Sequence, residues 1–436
     1  MRLKRILGPL LAAALSSTFA YGMDPPPFPR LGAMLLGSPT NYDNPALQAN
    51  IAKASVVLLS YWPNWQIGHT ETFEQAMAAI KVLNPNIQLA VYSGIDSVVN
   101  TPTYAAVITK LNTQKWWLYA SGTSGTPVAN FFTGPGGPFY QINTTLFPAP
   151  DSSGHRYMDW YATWYVTNIV RPNPALNSAY IDNVFVVPRA TGDWSLDGVS
   201  DPPTDTTAQH WVHLGYDAYF SSLRALMPKA NLIGNIADWG PASADLTDYK
   251  SQLNGGVIEG LIGLSWSPET WGGWREMINE YRKAMGALAA PGLAMFAMIG
   301  STTDYQAFRY GFSSCLMDNG YFTFNSSEAY NDMPWFDEYN VSLGTAISAP
   351  PTAAWQKGVY RRDYSNGIAL VNPKGNGPQT VTLETPFRRI RGSQAPTVNS
   401  GQNSNTVTLQ DRDGIILLRQ QPFTVPLSPT RLKLTQ

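Results

Sequence analysis

Cysteine is almost missing from this chain. Cys315 is the only one in 436 residues, so no internal disulfide can form. Histidine is scarce too: His69, His155, His210 and His213 leave little material for an imidazole-based metal site. Only His210 and His213 stand close, at i,i+3 and without a flanking carboxylate motif, so an ordinary exposed helix face is expected there. Charge is sparse as well, at 14% of residues against the usual ~25%. The 29 Lys and Arg against 30 Asp and Glu leave no basic footprint for nucleic acid or an anionic membrane surface. No G-x-G-x-x-G or G-x-x-x-x-G-K-[ST] follows any apolar run, so nothing points to a nucleotide. Past the N-terminus no apolar run reaches spanning length, and no solenoid period repeats.

What the chain does have is apolar and aromatic. Hydrophobic residues make up 44% and aromatics 12%, which excludes disorder. The 14 Trp and 22 Tyr exceed the needs of a core and suit a surface that stacks on neutral ligands such as sugars, with a large core as the ordinary alternative. The 36 glycines and 34 prolines imply many loops. Met1–Arg5 is basic and Ile6–Leu15 mostly apolar but too short to span a bilayer. Thr18-Phe19-Ala20 then offers small residues for cleavage after Ala20. Residues 1–20 therefore read as a signal peptide, and a secreted or periplasmic protein without stable membrane insertion is expected. With a single cysteine, its stability must come from a large core.

Beyond Pro25–Pro27, strand-like apolar runs alternate with helix-like segments. The runs are Leu31–Leu36, Ser55–Tyr61, Gln88–Ser93, Ala179–Val184, Leu232–Ile236, Gly256–Ile262, Ala294–Ile299 and Tyr321–Phe324. They are continuous rather than alternating, as parallel strands covered on both faces must be. Helical spacing links Val212, Tyr216, Tyr219, Leu223 and Leu226, and again Trp274, Ile278, Tyr281 and Met285. Capping boxes are expected at Thr72-Phe73-Glu74-Gln75 and Thr303-Asp304-Tyr305-Gln306. Eight β-then-α units over roughly 300 residues predict an α/β fold, a (β/α)8 TIM barrel; a doubly wound open sheet is the runner-up. The third unit is long, with helices near Tyr104–Tyr119 and Tyr157–Val170 around a Gly/Pro-rich excursion at 134–138, an insertion suited to shaping a barrel mouth. From about Ser342 strands dominate: a hairpin over Val359–Val371 with an Asn366-Gly367 turn, then Val381–Ile390 and Thr406–Arg419. The expected division is a barrel over 28–340 and a small all-β, sandwich-like domain over 341–436.

A (β/α)8 barrel carries its chemistry at the C-terminal ends of its strands. Two carboxylates stand there inside apolar runs, Asp182 and Glu259, where each is costly unless paired or hydrogen-bonded. Their separation of 77 residues corresponds to two βα units. Two carboxyls facing one cleft can divide the work of glycosidic cleavage, one ionised and one protonated, with no metal or cofactor. A single strand-end Asp more often caps a helix or pairs with a cation. The pair, ringed by Trp62, Trp65, Trp239 and Trp266, favours catalysis, with the tryptophans as stacking platforms. Tyr92, Asp96, Asn183, Asn235 and Asp238 complete the candidate sugar-binding set. Asp96 and Asp238 lie further into loops, where solvated turn aspartates are the ordinary case.

Three segments carry a family likeness: Ala179-Tyr180-Ile181-Asp182-Asn183-Val184, Gly255-Gly256-Val257-Ile258-Glu259-Gly260 and Asp413-Gly414-Ile415-Ile416-Leu417-Leu418-Arg419. With them the chain resembles the hypothetical glycosyl-hydrolase-like family 15 of bacterial exported proteins, distinct from the glucoamylase family of that number. More distantly it resembles the endo-α-1,4-polygalactosaminidase (spherulin-4-like) barrels, which share an Asp on strand four and a Glu on strand six. The resemblance implies a retaining α-type glycosidase with Asp182 as nucleophile and Glu259 as general acid/base, acting on a carbohydrate. A non-catalytic carbohydrate-binding or surface-assembly protein on the same scaffold is the alternative. A metal-dependent deacetylase is disfavoured by the scarcity of histidine.

Overall fold

The computed structural model describes residues 25–37, 41–61, 68–134, 137–185, 187–236, 249 and 252–420. The expected signal segment, Trp62, Trp65, Asp238, Trp239 and the tail from 421 lie outside the described residues. In chain order the strands begin with β1 (Gly32–Leu35), β2 (Val56–Leu59) and β3 (Gln88–Gly94). An excursion follows with β4 (Ser97–Val99), β5 (Ala129–Gly134) and β6 (Gly137–Gln141). Then come β7 (Ser178–Val184), β8 (Asn231–Ile236), β9 (Gly255–Ile262), β10 (Leu293–Ile299) and β11 (Tyr321–Asn325). The C-terminal strands are β12 (Tyr360–Asp363), β13 (Gly367–Asn372), β14 (Gln379–Arg389), β15 (Asn403–Leu409) and β16 (Asp413–Leu418). The helices are α1 (Pro45–Ile51), α2 (Phe73–Leu83), α3 (Ala105–Gln114), α4 (Tyr157–Tyr165), α5 (Thr206–Leu226), α6 (Pro268–Ala287) and α7 (Tyr305–Cys315).

Each of the eight apolar runs forms a strand of one parallel sheet, in the order β1-β2-β3-β7-β8-β9-β10-β11. A parallel bridge between Leu31 and Phe322 joins its two edges, with the Phe322 amide donating to the Arg30 carbonyl at 2.9 Å. The sheet is a TIM barrel. Because side chains alternate along a strand, each run serves two cores. Val56, Leu58, Ala90, Tyr180, Ile233, Val257, Leu293, Met295 and Ala297 fill the barrel interior. Their neighbours Val57, Leu59, Leu89, Ala179, Ile181, Leu232, Ile258, Ala294 and Phe296 face outward beneath the helices. Both faces are apolar, so the runs carry no alternation in sequence.

Local chemistry sets most element ends. Thr72 and Gln75 exchange the two hydrogen bonds of a capping box at the start of α2. At α7 the cap is Asp304 rather than Thr303: its Oδ1 accepts from the Ala307 amide at 3.0 Å. The expected helix Tyr104–Tyr119 stops at Gln114, where Lys115 turns left-handed (φ 55°). The next four residues, Trp116 to Tyr119, are buried and extended, and the Leu118 amide donates to Gln141 at 3.0 Å. Their apolarity serves this edge, not a helix. Tyr157–Val170 is α4 followed by one π turn, Val166–Val170. The face bearing His210 and His213 is not simply exposed. His213 is buried, its ring stacked on Tyr249 at 4.3 Å between centroids and its Nε2 3.5 Å from Asp217 Oδ2.

The C-terminal sheet is antiparallel, in the order β12-β13-β16-β14-β15. β14 meets β16 only at Arg388 and Arg389, so β14 and β15 fold over β13 and β16 and enclose Ile368, Leu370, Val381, Val407, Leu409, Ile415 and Leu417. The alternate residues Ala369, Val371 and Ile416 join the barrel's outer core. Arg309 on α7 clamps this contact by pairing with Asp413 at 3.0 Å, both buried. The hairpin turns on Ser365-Asn366, one residue before the expected Asn-Gly. Gly367 already lies in β13, where a Cβ would come within 2.3 Å of the Leu417 carbonyl oxygen. Among the described residues no helix is long and apolar enough to cross a membrane.

Candidate active site

Strand parity builds the site. Tyr92, Asp182, Asn235 and Glu259 each lie two residues beyond an interior side chain: Ala90, Tyr180, Ile233 and Val257. They form the next layer up, at the C-terminal mouth, where the apolar filling ends and polar groups meet. All four are partly open.

Asn235 ties the carboxylates together. Its Nδ2 donates to Asp182 Oδ1 at 2.9 Å and to Glu259 Oε2 at 2.8 Å. Linear bonds along two amide hydrogens ~120° apart would set these oxygens about 5 Å from each other. Asp182 also accepts from the Tyr92 hydroxyl at 3.0 Å on Oδ2 and from the Tyr180 hydroxyl at 3.2 Å on Oδ1. Burial raises both phenols well above their usual range, so they remain donors. An ionised carboxylate, which only accepts, satisfies all three bonds to Asp182. Glu259 accepts on its other oxygen, Oε1, from the Tyr330 hydroxyl. Burial pushes its carboxyl up; Tyr330 and Asn235 pull it down, while the Asp182 charge raises it further. Asp182 is thus held by three donors, while burial biases Glu259 towards its acid form.

Asn183 directly follows Asp182 in the left-handed conformation (φ 57°), which asparagine tolerates better than most residues. Its Nδ2 donates to Asp96 Oδ1 at 3.1 Å, and its carbonyl accepts from the Tyr216 hydroxyl at 2.7 Å. Asp96 is 1% exposed and also accepts from Asn130 at 3.3 Å and Ser97 at 3.3 Å. It therefore props the Asp182 turn from beneath and presents no open face for a sugar. Burial and the Asp182 charge push its carboxyl up to about 6, against the pull of Arg189.

Beyond Glu259, Gly260 is left-handed (φ 61°), and a Cβ there would sit 2.7 Å from the Trp266 ring. Trp266 therefore lies against the strand end that carries Glu259 while half of it stays exposed. Trp271, at the start of α6, is 62% exposed. Trp62, Trp65, Asp238 and Trp239 cannot be placed relative to the site, since they lie outside the described residues. Sequence reading missed Tyr180 and Tyr330. Parity marks Tyr180 as interior, two residues below Asp182. No periodic signal marks Tyr330, which comes from the loop after β11. Among the described residues no three His, Cys, Asp or Glu side chains converge to hold a metal ion.

The profile of hypothetical glycosyl hydrolase family 15 matches residues 81–368. No curated protein matches the chain. Solved structures that superpose on it include the α-amylase of Geobacillus thermoleovorans, at 9% identity and TM-score 0.47, over 90% of this chain and 98% of that one. A GH27 β-L-arabinopyranosidase of Geobacillus stearothermophilus matches at 10% identity and TM-score 0.46, over 89% and 95%. The glycoside hydrolase domain of PelA from Pseudomonas aeruginosa matches at 10% identity and TM-score 0.40, over 70% and 97%.

Proposed function

This chain belongs to hypothetical glycosyl hydrolase family 15, and from that premise we propose that it is an exported glycoside hydrolase with a retaining, two-carboxylate mechanism. It cleaves O-glycosidic bonds in a polysaccharide or oligosaccharide, such as an exopolysaccharide of the producing cell's own surface. The observation that carries the reading is the Asn235 amide shared by Asp182 and Glu259. It supports a spacing of about 5 Å, the retaining range of ~5–5.5 Å rather than the inverting ~6.5–9.5 Å.

Asp182, held by three donors, is the nucleophile. Its oxygen bonds to the anomeric carbon as the bond to the leaving oxygen breaks, and the Glu259 proton moves to that oxygen. Glu259, now a carboxylate, then takes a proton from water. The water oxygen bonds to the anomeric carbon, the ester to Asp182 breaks, and both carboxyls return to their starting states. Trp266 offers a stacking face beside Glu259. Export rests on the basic and apolar N-terminal residues.

The test is a hydrolysis screen over glycans and aryl glycosides, with product stereochemistry read by NMR. Retention of configuration is expected. Asp182→Asn and Glu259→Gln should each lower turnover by at least ~100-fold on an unactivated glycan while leaving the circular dichroism unchanged. Wild-type turnover in both variants overturns the assignment. Glycan binding with no product on any substrate overturns the enzyme and leaves a binding protein.

A further inference from the structure

Glu259 must change protonation twice per cycle in this mechanism, and two donors hold its two oxygens. Asn235 Nδ2 only donates, and both of its hydrogens are committed, one to each carboxylate. The Tyr330 hydroxyl donates to Glu259 Oε1, an oxygen that can accept it both as carboxylate and as acid.

The backbone around Tyr330 is arranged to deliver this hydroxyl. Tyr330 has φ 47°, a conformation rare for a bulky aromatic residue. Such a conformation persists only where the surroundings over-determine it. Here the Tyr330 amide donates to Ser327 at 3.2 Å, and its carbonyl accepts from the Gly37 amide at 3.1 Å. Asn325 Nδ2 spans the Met34 and Asp332 carbonyls at 2.9 Å each, and Asp332 Oδ1 accepts from the Ser326 amide at 3.1 Å. A Cβ on Gly37 would come within 1.9 Å of the Ala329 carbonyl oxygen, so the end of β1 packs backbone to backbone against this loop. The loop is thus stapled to both β1 and β11.

We propose that Tyr330 is a positioning residue for Glu259: its hydroxyl donates to Oε1 while Asn235 donates to Oε2, so that the side chain keeps one orientation through both proton transfers and the acid proton stays free to point at the leaving oxygen. The proposal rests on the glycosidase reading above. In the first step Glu259 gives its proton to the leaving oxygen, and the Tyr330 O–H holds the carboxylate that forms. In the second, Glu259 takes a proton from water while the Tyr330 O–H stays on Oε1. Among the described residues, the other titratable or charged groups acting on Glu259 include Asp182 and Tyr180 from β7, Arg189 from the loop after it, and Glu328 from the Tyr330 loop. Tyr330 is the one among them whose neutral hydroxyl contacts the Glu259 carboxyl directly.

Tyr330→Phe removes the hydroxyl and keeps the ring. On an unactivated oligosaccharide identified by the screen, kcat/KM should fall ~10–100-fold with KM little changed. On a 2,4-dinitrophenyl glycoside of the same sugar, whose leaving group departs without a proton, the loss should be no more than a few-fold. The basic limb of the pH profile should move up, because the carboxylate has lost a donor. A carboxyl-13C NMR titration should show the same rise at Glu259 without any substrate. An unchanged Glu259 titration, or equal losses on both substrates, overturns the proposal. Glu259→Gln is run alongside. If it hydrolyses like the wild type, the glycosidase reading itself fails. If it is inactive while Tyr330→Phe behaves as wild type, only the role of Tyr330 fails.

Discussion

Asn235→Ala isolates the bond pair on which the site is built. Two carboxylates about 5 Å apart, both ionised, repel by ~3 kcal/mol at an effective dielectric constant of ~20. The Asn235 amide offsets this by donating to each of them. A hydrogen bond to a charged group contributes ~1.5–3 kcal/mol, and 1.36 kcal/mol corresponds to one pH unit. Glu259 keeps Tyr330 in the variant, and water entering the vacated volume restores part of the loss. Its carboxyl should therefore titrate ~1–2 pH units higher than in the wild type. The direction follows because a donor to the charged carboxylate contributes more than the same donor to the neutral acid's carbonyl oxygen. The assay is a pH titration of protein labelled with 13C at the Asp and Glu carboxyls, with resonances assigned through Asp182→Asn and Glu259→Gln. Where a substrate is in hand, the basic limb of kcat/KM should move up by the same amount. If Glu259 titrates identically in variant and wild type, the shared amide does not couple the pair, and the argument for two carboxyls working as a unit is refuted.

Asp96→Asn tests the buried prop. The Asp96 carboxyl is pushed from 3.8 up to about 6 by burial, so its neutral form favours the fold. That contribution is complete below the unfolded value and is lost as pH rises through about 6, a change on the order of 3 kcal/mol. An asparagine does not titrate, so the Tm of Asp96→Asn relative to wild type should climb between pH 4 and about 7; a pH-independent difference sinks the claim. At the barrel–sheet contact, Asp413→Ala leaves Arg309 buried without its anion and should cost ~3–5 kcal/mol. The double change Arg309→Met with Asp413→Leu should recover much of that, and denaturant melts of the three proteins decide it.

Much of the barrel was legible because parallel strands covered on both faces leave continuous apolar runs. Every one of the eight became a strand of the sheet, with ends moved by a residue or two. The strand-end carboxylates stood out because an acid inside such a run is conspicuous, and parity brings both to one layer. Other features hid because their causes are tertiary. Tyr330 reaches Glu259 through a left-handed loop that no periodicity announces. Asp96 reads as a turn aspartate, since nothing local reveals that Asn130 and Asn183 will enclose it. Trp116 to Tyr119 continue a helical pattern, but Lys115 breaks it and the aromatics pack in extended form. His213 looks like a surface residue until Tyr249 stacks on it.

The middle strands of the C-terminal sheet, β13 and β16, are apolar on both sides, and one of those sides belongs to the barrel. Neither module can therefore present a finished exterior by itself. Truncating the chain near residue 341 would leave α7 wet along a greasy flank and remove Asp413 from Arg309. The severed strands, for their part, would offer Ala369, Val371 and Ile416 to water, an invitation to stick to one another. Whatever chemistry the mouth performs, the sheet far along the sequence is what covers the apolar flank of the ring.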